Sequence, residues 1–159
     1  MARLGVMCVF GVVLHVALFA RLRVFGVRPD TPLLIAIIAG LEGGADAGAV
    51  AGLVTGLCID LFYDTPFGLS ALVFTVVGSL VGRARAGAFP GAVQVPATLV
   101  VLASVAGAAA WRGLSRVAGL PLGGVRSASV GVAMVVAWNA ALFPLVRRLV
   151  RRVLPANYV

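Results

Sequence analysis

The sequence predicts an all-α integral membrane protein, a compact bundle of about six transmembrane helices forming one domain over residues 1–159. Three observations lead there. Of the 159 residues, 62% are hydrophobic and only 11% charged, whereas soluble domains are about a quarter charged and about half apolar. The apolar residues gather in runs long enough to enter or cross a bilayer. No polar stretch exceeds roughly fifteen residues, too little for a second folded domain.

The first helix is expected over 4–20, about 17 residues and near the lower limit for crossing a bilayer. Arg3 precedes it as in a signal peptide. No A-x-A cleavage site stands before Arg21, so the segment reads as an uncleaved anchor. Arg21, Arg23 and Arg28 lead into Pro29-Asp30-Thr31-Pro32, a stiff connection suited to a helix start.

The next apolar run, 33–62, is the hard one. As a single helix it would be about 45 Å long. It would then hold Glu42 and Asp46 near mid-membrane, where a lone carboxylate costs a few kcal/mol. Gly43-Gly44 favours a turn, and Asp46 suits the first turn of a new helix. The expectation is a short second helix over 33–41 and a third over 46–62. Further helices follow over 69–82, ending at Arg83 and Arg85, over 96–111, ending at the interfacial pair Trp111-Arg112, and over 127–146. The tail, 147–159, carries Arg147, Arg148, Arg151 and Arg152, a basic stripe suited to lying on anionic headgroups.

The third helix organises the chain. Gly40, Gly44, Gly48, Gly52 and Gly56 fall four residues apart, and the next steps reach Asp60 and Asp64. Residues at i and i+4 share a helix face. One side is therefore nearly bare backbone, as in the small-xxx-small crossings of bilayer helices. Gly78 and Gly82 repeat the spacing on the fourth helix. Gly44, Gly48, Gly52, Gly56, Gly78 and Gly82 are the expected packing or partner interface.

Glu42, Asp46, Asp60 and Asp64 are four of the five acidic residues. They read either as a partner-contacting or ion-binding cluster or as helix-end groups; Asp46 and Asp60 lie about 21 Å apart along a helix, too far to share a metal, which favours helix ends. No catalytic, cofactor or metal residues are assigned. His15 and Asn139 read as hydrogen-bonding packing residues. Cys8 and Cys58 read as small buried hydrophobes. The net charge of +8 does not imply nucleic acid, because the arginines cluster at the ends of apolar runs. With six helices and the N-terminus inside, seven arginines fall inside and six outside; five spans with the N-terminus outside would give nine and four. Charge alone favours five, and the placement of Glu42 and Asp46 favours six.

Pro29-Asp30, Gly43 through Asp60-Leu61, Thr65-Pro66-Phe67-Gly68, Ser70-Ala71 and Arg83 together resemble the rod shape-determining MreD family. The resemblance covers residues 29–85; the remaining helices match only as hydrophobic lengths. It implies a non-enzymatic, multi-pass scaffold of the bacterial cytoplasmic (inner) membrane. Such proteins associate with MreC, a bitopic partner, and work with the RodA polymerase, a class B transpeptidase and, in many bacteria, MreB filaments in lateral peptidoglycan synthesis. The family's six-helix fold is similar to the substrate-binding S-components of energy-coupling-factor transporters, so a solute-binding subunit is the alternative. A third reading is a lipid enzyme, since Gly56-xxx-Asp60-xxx-Asp64 resembles half of the CDP-alcohol phosphotransferase motif. In the other half, Ala39 replaces the leading Asp and the Arg is missing.

Overall fold

The computed structural model describes residues 2–19, 30–63, 66–88, 97–120 and 125–153. Five helices account for them: α1 (Ala2–Phe19), α2 (Thr31–Phe62), α3 (Leu69–Ala88), α4 (Ala97–Val117) and α5 (Val125–Val153). The all-helical membrane class is as expected; the helix count is lower. The expected second and third helices form the two parts of α2. Gly44, at φ 81° and ψ −175°, breaks it. That backbone conformation is open to glycine and strained for any residue bearing a Cβ.

The break is a fold-back. A Cβ built on Gly48 would lie 2.8 Å from the Cα of Gly40, although residues eight apart in a straight helix are separated by about 12 Å. The two halves of α2, α2a (31–43) and α2b (45–62), therefore lie side by side. Asp30 starts α2a, its carboxylate accepting from the Leu33 amide at 3.3 Å, with Pro32 in the first turn. Every residue from Pro32 to Leu41 is buried. A half-helix apolar on all sides, and too short to cross a bilayer alone, is stable only when other helices surround it.

Three expected ends are corrected. α3 runs six residues past 82, because Arg83 and Arg85 can carry their charge to the membrane edge on long stems while staying helical. α4 runs past 111 to Val117. α5 continues through the start of the expected tail to Val153, with Pro144 inside it, a residue that membrane helices tolerate. Residues 154–159 lie outside the described residues.

The core lies along α2. Leu33, Leu34, Ile37, Ile38 and Leu41 are fully buried and pack with Leu4 and Cys8 of α1, Val73, Phe74 and Val77 of α3, Val100 of α4, and Val146 and Val150 of α5. The outward faces of α1, α4 and α5 carry exposed Val, Leu and Phe, as a lipid-facing surface does.

Candidate functional site

The glycine ladder closes on α3. A Cβ on Gly52 would meet the Thr75 backbone nitrogen at 2.5 Å, and one on Gly56 the Ala71 nitrogen at 2.5 Å. One on Gly48 would meet the Gly78 carbonyl carbon at 2.5 Å, and one on Gly78 the Gly48 carbonyl carbon at 2.8 Å. The obstacles are backbone atoms in each case, so no rotamer change relieves them. Gly82 packs on the break itself, where a Cβ would stand 2.5 Å from the Gly44 carbonyl carbon. Gly40 faces Gly78 and Gly82 from α2a and so extends the seam. Gly44 does not belong to it: a Cβ there meets nothing within 4 Å, and its task is the turn.

The acidic residues separate. Glu42, at the fold-back, has a side chain only 8% exposed; it accepts from Arg147 Nε at 2.6 Å and is ion-paired with Arg151, whose Nε lies 3.2 Å from Oε2. Arg147 also stands over the Phe143 ring, 5.6 Å from its centroid. On the adjoining residue, the Leu41 carbonyl accepts from Arg85 Nη1. That carbonyl is among those freed where the helix breaks, so Arg85 acts as a C-terminal cap of α2a. Three arginines from α3 and α5 thus converge on two adjacent residues of α2. The sequence reading placed all four tail arginines together on headgroups. In the structure Arg147 and Arg151 turn to Glu42, while Arg148 and Arg152, on the next positions around the helix, are exposed. Asp46, in the first turn of α2b, is exposed.

Asp60 lies at the opposite end of α2b, buried at 5% exposure. Its carboxylate accepts from the amides of Gly68 at 2.9 Å and Ser70 at 3.1 Å, with Ala71 at 3.4 Å. It caps α3 from the preceding helix, placing a negative charge where that helix presents unpaired N–H groups. The tight approach to Ser70 includes Gly68 at φ 94°. Trp111 Nε1 donates to Ser70 Oγ at 3.1 Å, so this end of α4 is tied to the same cap. The sequence reading had given Trp111 to the interface alone. Asp64 lies outside the described residues.

Between these ends, Asn139 Nδ2 of α5 donates to Ser104 Oγ of α4 at 3.0 Å, both residues fully buried. This is the expected interhelical hydrogen bond. Cys8 is buried, Cys58 half-buried, and both are free thiols.

The pairing of Glu42 with Arg147 spans 105 residues and had no local signal. Only the presence of one carboxylate beside a glycine turn pointed to it. Among the described residues no three His, Cys, Asp or Glu side chains gather into a metal-binding group. Asp30 caps its own helix, and the other two carboxylates with partners in view hold helices together. Glu42 joins α2 to α5, and Asp60 joins α2 to α3.

Comparison with known families gives one result. The family model described as rod shape-determining protein MreD matches residues 2–153. No curated protein and no solved structure matches the chain.

Proposed function

Since the chain belongs to the MreD family of rod shape-determining proteins, we propose that it is a non-enzymatic scaffold of the cell-elongation complex in the inner membrane, binding an MreC-like bitopic partner. Family membership assigns it to rod-shape determination as a multi-pass membrane protein. The observation that supports the finer reading is the use of its buried polar groups. Glu42, Asp60, Asn139 and Ser104 fasten helix to helix rather than converging on a substrate-sized space. A scaffold needs a fixed shape, and these contacts supply one.

The glycine seam supports the scaffold differently from the sequence expectation. It is filled by α3 within the chain, so the partner's helix meets the exposed apolar faces of α1, α4 or α5. RodA and the class B transpeptidase then associate through or beside that partner, with MreB on the cytoplasmic side.

Co-purification in a mild detergent tests the reading. The full chain, expressed with its MreC-like partner, is expected to elute with it as one complex. Separate elution of two folded proteins would overturn the scaffold assignment.

A further inference from the structure

The turn end of the bundle carries more positive charge than its own acids can balance. Arg83 and Arg85 close α3 there, and Arg147, Arg148, Arg151 and Arg152 close α5. The facing acids among the described residues are Glu42 and Asp46. Glu42 is shared by two guanidiniums, with Arg147 Nε 2.6 Å and Arg151 Nε 3.2 Å from its oxygens. A guanidinium has five N–H donors in a fork that suits carboxylate and phosphate. Two guanidiniums carry more donors than one carboxylate can accept.

Their exposure says where a ligand could reach. The Arg147 side chain is 20% exposed and that of Arg151 58%, so Arg151 is held by Glu42 on one side and open on the other. Arg85, half-buried on α3, reaches the residue next to Glu42. Arginines from the ends of α3 and α5 thus gather over Leu41 and Glu42 at one end of the bundle. The last turns of α5 alone bring four arginines to this end, and basic pockets between helices at the membrane edge hold lipid phosphates.

We propose that this arginine cluster binds the phosphate of an anionic lipid headgroup. Arg151 is the contacting residue, Arg147 the second donor, and Glu42 the group that positions both. The inference does not depend on the scaffold reading, because it concerns lipid bound by the chain alone.

The test uses the purified full chain in a neutral detergent, with bound lipid read by native mass spectrometry and stability by thermal unfolding. Phosphatidylglycerol and cardiolipin are expected to be retained and to raise the melting temperature; phosphatidylcholine is not. Arg151→Gln should lower retention about fivefold, the effect of about one arginine near a charged leaflet. Its side chain is more than half exposed, so the variant should remain monodisperse. Arg148→Gln and Arg152→Gln should have clearly smaller effects. Equal retention of phosphatidylcholine, or equal loss in all three variants, would overturn the proposal in favour of a diffuse basic surface. Stabilisation by inorganic phosphate alone would overturn it in favour of a free anion.

Discussion

The two halves of this bundle are built by different means. Of the most apolar stretch of α2, 67% is buried, and of α3, 50%; the figures fall to 28% for α4 and 11% for α5. α2 and α3 meet through bare backbone along Gly48, Gly52, Gly56 and Gly78. α5 is fastened at separate points, by polar contacts at Asn139 and Glu42 and by Val146 and Val150 in the core. In lipid the helices gain little from hiding apolar surface from one another, so van der Waals fit and hydrogen bonds decide association. A seam gives continuous contact that tolerates no intrusion. Point contacts give a joint that can loosen without the rest of the molecule following.

Mutations can break or sharpen that contrast. The largest effect is expected at the seam. Gly52→Leu drives a side chain into the α3 backbone and should abolish recovery of monodisperse protein. Gly52→Ala should lower stability by about 1–3 kcal/mol, the cost of overpacking, measured by thermal or denaturant unfolding in detergent. If Gly52→Leu yields native-like protein, α2 and α3 do not meet as described.

At the joint, Glu42→Ala leaves two arginines without their carboxylate. Partial exposure of both limits the cost to about 2 kcal/mol. The informative measurement is local hydrogen exchange. Faster exchange should be confined to the ends of α5 and α2a, while α2b and α3 stay protected. A uniform rise along the chain would contradict the two-part picture.

Asp60→Ala should cost about 1–2 kcal/mol, since it removes a cap and leaves the Gly68 and Ser70 amides unmatched. Asp60→Asn should recover part of that in the same unfolding assay, because an amide oxygen still accepts. The smallest effect is expected for Asn139→Leu, about 0.6 kcal/mol, a typical value for one interhelical hydrogen bond in a membrane. A loss as large as that of Glu42→Ala would move the main fastening of α5 to mid-bundle.

Much of the seam was legible because four-residue spacing of glycine is a local pattern with one geometric meaning. The break in α2 was legible too, from Gly43-Gly44 beside two carboxylates that a straight helix would strand in lipid. Helix ends were harder. Arg83 and Arg85 read as a stop but extend α3, since long basic side chains leave the bilayer without ending the helix. What closes the seam was not legible, because a bare face fits any helix and nothing local in Gly52 names Thr75. Nor did Asp60 announce the amides it would cap. Its partners lie eight to eleven residues ahead, across a loop whose shape the pattern did not specify.

The reach of Glu42 across 105 residues has a consequence for biogenesis. Translation produces the carboxylate early and its two counter-charges near the end, so the fold-back must wait for the final helix to complete its neutralisation. A chain terminated before Arg147 would enter the membrane with that obligation unmet and α2a deprived of one wall. Quality-control proteases would then meet a nearly full-length product as an unfinished one.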